Sequence, residues 1–253
     1  MLTLTDLADS LRALGVRAGD TVLVHSSYKA LGPVQGGPRT VIDALLQVVG
    51  GGGTVLLPTF NFNAWSQGHY FDLLETPSEM GIIGEMARTL PGFRRTPHPI
   101  YSFAVAGARQ DEFLACDDPE AFGDRSVFAR MVEHDAFMLS IGLDFNSTFS
   151  LFHYVERKAG ATHRRVKAFG GIYLGESRAP EVRMFSMYVR AQLWMQTEVT
   201  RAVDALVRAR VIREDRLGEA VIHHARSRHY FDELTPIVRE HPEWLYRDTR
   251  AGG

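Results

Sequence analysis

Two short apolar runs, residues 21–24 and 54–57, restrict what this chain can fold into more than any other feature. Each is a run of Thr, Val and Leu, too short for a helix and without alternating polar positions. Such runs read as strands covered on both faces. Helical periodicity separates them. Thr5 or Asp6 can cap a first helix with Leu7, Leu11 and Leu14 on one face, and Gly19-Asp20 makes the turn into the first strand. Residues 40–49 read as a second helix, which the glycines at 50–53 end. Helices alternating with buried strands predict an α/β layered sandwich, a central mixed sheet flanked by helices.

Residues 58–77 hold aromatics, Asn, Gly and Pro without a clear period and read as a long loop, a common place for function. Residues 81–90 read as a helix, 101–105 and 136–141 as strands, and 146–158 as a helix with Gly160 just past its end. Residues 168–174 and 182–189 read as a hairpin turned at Gly175 and Pro180, and 193–206 and 217–227 as helices. No repeat or linker interrupts the chain, so one domain over 1–253 is expected.

Composition narrows the function. Lys+Arg 28 against Asp+Glu 30 leaves a net charge of −2, which gives no whole-molecule signal for nucleic acid or a membrane surface. One cysteine, Cys116, excludes an intrachain disulfide. No apolar run approaches the ~20 residues that span a bilayer. The opening segment is amphipathic and interrupted by Asp6 and Asp9, unlike a secretory leader, so a cytoplasmic location is the expectation.

Four segments carry chemistry. Val24-His25-Ser26-Ser27 ends a strand and delivers an imidazole and two hydroxyls to a strand-end crevice, where α/β sheets commonly bind ligands. Gly32 and Gly36-Gly37 follow and allow close backbone approach; an ordinary capping Ser pair is the alternative. Thr76 or Ser78 can cap the helix after Gly81, whose positive end suits a phosphate, or simply cap it. Arg94-Arg95 offers bidentate phosphate donors beside His98, which two prolines hold rigidly; a solvated arginine pair is the alternative. His153 and Glu156 stand three apart on one helix face, an arrangement that fixes a tautomer and raises basicity, or a structural ion pair. Further ligands at metal spacing are missing, so no metal is expected. The chain has no P-loop, no nucleophile elbow and no dinucleotide fingerprint, since the glycines at 50–53 precede a strand.

In order along the chain, these segments resemble the aminoglycoside 3-N-acetyltransferase family of antibiotic-resistance N-acetyltransferases. The likeness runs over roughly residues 5–160. It rests on Val24 to Ser27 with Leu31-Gly32 and Gly36-Gly37, residues 53–60 and 76–81, Arg94 to Pro99 with Ser102, Phe122-Gly123 with Ser126, and residues 146–156. The resemblance implies that family's fold, acetyl-CoA as donor and an amine as acceptor. It implies CoA contacts from His25, Ser26, Ser27, Thr59, Ser78, Met80, Gly81, Arg94, Arg95 and Ser102. It places the base at His153, oriented by Glu156, with His98 as the second choice. On this reading residues 1–160 form the CoA-binding and catalytic core, and 161–253 the acceptor-side hairpin and C-terminal helices. Family members include dimers, which leaves a homodimer open.

The C-terminal third departs from the family pattern. Where members carry an acidic pair, Met184 to Arg190 holds no acid. That favours, as alternatives to an aminoglycoside, an amino sugar or amine of polysaccharide or natural-product biosynthesis, or a non-catalytic CoA-binding role. A ping-pong route through Cys116, paired with His98 or His134, is a further enzymatic alternative.

Overall fold

The computed structural model describes residues 1–144 and 149–250. Helix α1 (Leu4–Leu14) starts at a capping box, in which Thr3 Oγ1 accepts from the Asp6 amide and Asp6 Oδ2 accepts from the Thr3 amide. The cap therefore lies two residues before the position expected. Strand β1 (Thr21–Ser26), α2 (Pro38–Val49) and β2 (Thr54–Pro58) follow as the apolar pattern dictates. The expected long loop also holds two short elements, α3 (Phe62–Ser66), capped by Asn61, and β3 (Tyr70–Asp72). Then come α4 (Ile82–Thr89), β4 (Arg94–Arg95), β5 (Phe103–Gly107), α5 (Gln110–Leu114), α6 (Val127–Glu133) and β6 (Phe137–Ile141).

Helix α7 (Leu151–Ala159) begins at Ser150; the start expected at residue 146 lies outside the described residues. The hairpin is β7 (Arg164–Leu174) with β8 (Pro180–Arg190), longer at both ends than expected. Beyond it the sequence reading needs two corrections. Residues 193–206 are not one helix: β9 (Met195–Thr197) precedes α8 (Thr200–Arg208). Residues 217–227 are not a helix at all. They are the second half of a hairpin, β10 (Arg213–Leu217) and β11 (Ala220–Arg226), turned at Gly218 in the left-handed region at φ 61°. The ladder between β11 and β6 decides this, from Ile222 opposite Ile141 to Arg226 opposite Phe137; tertiary pairing overrides a weak helical period. Helix α9 (Ser227–Glu240) and β12 (Tyr246–Asp248) complete the described chain.

The central sheet has seven strands in the order β10-β11-β6-β1-β2-β5-β4. β1 runs parallel to β2 and β6, and the outer pairings are antiparallel. Alternation along each strand feeds two cores. Val22, Val24, Val55 and Leu57 pack against α1, α2 and α4, while Leu23, Leu56 and Met138 face the layer of α6, α7 and α9. Truncating Leu23, fully buried between the layers, to Ala should cost about 2–5 kcal/mol. A smaller sheet, β3-β7-β8, and a ribbon of β9 with β12 lie outside the central one. Among the described residues no helix is long and apolar enough to cross a membrane.

Candidate active site

A cavity of about 490 Å³ opens at the carboxyl ends of the parallel strands β1 and β2. Its size is that of a small-molecule site. Strand β1 contributes Val24, His25 and Ser26, the segment before α4 contributes Glu79 and Met80, and the first turn of α4 contributes Ile83. Helix α7 contributes Ser150, Phe152 and His153, and the C-terminal part contributes Thr197, Val203 and Tyr230. Helix α4 reaches the cavity because Gly84 lets it close onto the end of β2. A Cβ at Gly84 would stand 2.2 Å from the Pro58 carbonyl oxygen.

The cavity's chemical centre is on α7. His153 Nδ1 lies 2.6 Å from Glu156 Oε2, one helical turn on, and 26% of the His153 side chain stays exposed while Glu156 has none. Two groups at the start of β7 share that carboxylate. His163 Nε2 lies 2.7 Å from Oε1, and Arg164 Nε lies 3.1 Å from Oε2. Burial alone would raise the Glu156 carboxyl, but His153, His163 and Arg164 outweigh it and hold the group near 2, ionised at any working pH. Burial pulls His153 below its ordinary range, with Arg164 acting the same way and Glu156 opposing. His153 is therefore neutral at neutral pH. With Nδ1–H given to Glu156, its Nε2 carries the free lone pair.

A second imidazole lines the same space. His25 Nε2 lies 3.1 Å from the Ser150 hydroxyl, and burial drops its pKa to about 4. It too is neutral at pH 7.

Several residues singled out from sequence stand elsewhere. Arg95, on β4 beside β5, is buried: its Nε donates to Ser102 Oγ at 2.9 Å, Nη1 to the Thr76 carbonyl at 2.5 Å and Nη2 to the Thr59 carbonyl at 2.6 Å. Its donors, and the hydroxyls of Thr59 and Ser102, are consumed within that cluster rather than aimed at the cavity. Burial lowers the guanidinium to about 9, still charged at neutral pH. Arg94 lies on the surface in ion pairs with Glu176 at 2.8 Å and Asp111 at 3.3 Å. His98 accepts from the Ile100 and Tyr101 amides through Nδ1, each at 3.2 Å, and is packed edge-on to Phe185. It anchors a turn and is absent from the cavity lining. Ser27 and Ser78 flank lining residues without lining the cavity themselves. Burial raises the Cys116 thiol, which contacts the Glu112 carbonyl at 3.4 Å and lies outside the cavity, the reverse of what a nucleophile needs.

The cavity suits the CoA expected from the sequence in two respects. Its walls are largely apolar, as a pantetheine arm requires, and α4 opens at Gly81 without a side-chain cap, so its first-turn amides remain as anion donors. Among the described residues no group of three or more His, Cys, Asp or Glu is arranged to hold a metal.

Sequence reasoning missed His163, Arg164, Thr197 and Tyr230. A His-Arg pair just past the Gly160 helix stop was the one visible signal for the first two. The others depend on the fold of the C-terminal part.

Residues 23–239 match the family model described as aminoglycoside 3-N-acetyltransferase. Aminoglycoside N(3)-acetyltransferase VII of Streptomyces paromomycinus is 36% identical over 185 residues, 65% of this chain and 63% of the relative. The chain thus spans under two thirds of the length of these curated relatives, 63% of the VII enzyme and 63% of aminoglycoside N(3)-acetyltransferase VIII of Streptomyces fradiae. The structure of sisomicin-bound AAC-VIa superposes with a TM-score of 0.82 at 26% identity, covering 94% of this chain and 98% of that one. The binary complex of AAC-IIIb with CoASH shares the fold, with a TM-score of 0.82 at 24% identity over 94% and 96% of the two chains.

Proposed function

The chain belongs to the aminoglycoside 3-N-acetyltransferase family, and from that premise we propose that it transfers an acetyl group from acetyl-CoA to an amino group of an aminoglycoside or related amino sugar. The observation that carries this reading is the 2.6 Å contact between His153, in the wall of the cavity, and a fully buried, ionised Glu156 behind it. An acceptor amine is mostly ammonium at neutral pH and must lose a proton to attack. His153 Nε2 takes that proton, and Glu156 holds the ring's tautomer and stabilises the imidazolium that forms. Acetyl-CoA would supply the thioester carbonyl; as the amide forms its C–S bond would break, and CoA would leave as the free thiol with the proton that the His153 imidazolium holds. The uncapped start of α4 would hold its phosphates, Met80 and Ile83 would pack against its arm, and Ser26 is the hydroxyl at β1's end nearest in role to an oxyanion donor. Positioning and proton transfer are the enzyme's contribution.

One observation favours the amino sugars of polysaccharide or natural-product biosynthesis as the acceptor. Among the described lining residues Glu79 is the single carboxylate, and its two oxygens already accept from the Phe62 amide at 3.0 Å and from Asn63 Nδ2 at 2.9 Å. A polycationic ring system meets only that one carboxylate among the described lining residues. Free-CoA release from acetyl-CoA, followed across aminoglycosides, nucleotide-linked amino sugars and simple amines, tests both readings. Turnover with none of these classes would defeat the transferase assignment.

A further inference from the structure

We propose that Arg164 and His163, adjacent at the start of β7, are positioning residues for the His153 base and act on it through Glu156. The proposal rests on the assignment of His153 as that base.

Glu156 is a single carboxylate with three nitrogen partners from two elements. Its Oε1 belongs to His163, and its Oε2 is shared between His153 and Arg164. The partners are themselves pinned. Arg164 Nη1 donates to the Tyr188 carbonyl at 3.2 Å, and Nη2 to Thr197 Oγ1 at 2.5 Å. Thr197 lines the cavity, so one guanidinium ties the carboxylate to β8 and to the opposite wall. The His163 ring stacks on Tyr246 with centroids 5.5 Å apart and planes 20° apart, and Tyr246 is the register partner of Thr197. The ribbon of β9 and β12 therefore backs both residues.

A carboxylate fixed at one oxygen only can rotate. Fixed at both, it presents Oε2 to His153 in one orientation, which sets the direction of the Nε2 lone pair. Arg164 adds a charge effect. A cation on the oxygen that faces the imidazole opposes a proton there and keeps His153 in its base form. Among the described residues the other ionisable groups facing this corner are the phenols of Tyr101, Tyr188 and Tyr230, all raised above the ordinary range by burial and hence neutral, His25, which burial likewise keeps neutral, and Arg157, which is paired with Glu120. Arg164 is therefore the fixed positive charge placed to tune His153.

The test is the pH profile of kcat/KM for wild type, Arg164→Gln, Arg164→Lys, His163→Leu and His163→Gln, with His153→Ala in parallel. In the wild type kcat/KM rises as His153 loses its proton. Arg164→Gln should move that rise to higher pH by about one unit and recover towards the wild-type plateau above it, while Arg164→Lys leaves it in place. His163→Leu should lower kcat about tenfold at unchanged KM for acetyl-CoA, and His163→Gln, which keeps a donor, should restore most of it. An unmoved limb in Arg164→Gln, or equal shifts in both Arg164 variants, would overturn the charge role. A His163→Leu enzyme as fast as wild type, or a Gln variant as slow as the Leu one, would overturn the orienting role. If Arg164→Gln does not fold, the His163 pair decides. A His153→Ala enzyme that stays active defeats the base assignment itself. An inactive His153→Ala beside wild-type-like Arg164 and His163 variants defeats the positioning role alone.

Discussion

Two of the charged side chains buried among the described residues, Arg95 and Glu156, are used in opposite ways. Arg95 lies over the Phe71 ring at 4.7 Å, and its donors close onto the oxygens of Thr59, Thr76 and Ser102. Every contact joins protein to protein, and the cluster staples the ends of β2 and β4 to the segment before α4. Glu156 also gathers several partners, but one of them, His153, keeps a ring nitrogen for the cavity. A closed network yields stability, whereas a network with one open valence yields chemistry. Residue type does not separate the two cases. Two arginines next to a rigid histidine look more like a site than a lone helix-face His-Glu pair does.

The contrast breaks most directly at His153. His153→Ala should lower turnover by ~10²–10⁴, the worth of positioned proton transfer, and leave the melting temperature near that of wild type. A folded variant that keeps more than about a tenth of wild-type turnover in the CoA-release assay would end the distinction. Arg95→Ala should behave the other way. Loss of a buried charged donor leaves carbonyls unsatisfied, so urea unfolding should show a loss of about 3 kcal/mol, while the folded fraction keeps its KM for acetyl-CoA.

Much of this was legible in the chain. The Val-Leu runs of β1 and β2, with helix period between them, dictate the layers, and the i,i+3 spacing of His153 and Glu156 places both on one face of α7. Long-range partners were not legible. His163 and Arg164 reach Glu156 only because the chain turns back after Gly160 into β7. The strand β11 was hidden because Ala220 to Arg226 gains its ladder from β6, far away in sequence. The buried setting of Arg95 was not legible either, because its acceptors, two backbone carbonyls among them, carry no sequence signature.

Two smaller effects sharpen the comparison. The histidines His25 and His98 have folded pKa values near 4 and 3, against about 6.5 unfolded, in both cases through burial. Between those values the unfolded chain binds protons that the folded one refuses. Stability is therefore full above pH 6.5 and falls as pH drops towards 4, by on the order of 1 kcal/mol per unit for each group. His98→Asn keeps an acceptor for the Ile100 amide and does not titrate, so it should flatten the fall; an unchanged slope of melting temperature against pH would show that His98 does not contribute. Arg94→Ala is the smallest change. Its exposed pairs with Glu176 and Asp111 should be worth less than about 1 kcal/mol, and the KM for acetyl-CoA should stay within experimental scatter of wild type.

The placement of β11 beside β6 has a consequence for biosynthesis. When β6 leaves the ribosome, its free edge has no antiparallel partner until residues 220–226 have been made. The same late stretch brings Ile212 and Tyr230, two walls of the cavity. A nascent chain halted after α7 thus carries His153 and Glu156 but lacks both the enclosure and the sheet edge that seats α7's layer, and it exposes a bare strand. The cavity should close only once residues 212–230 have been made, and chains stalled before them should be prone to edge-to-edge association through β6.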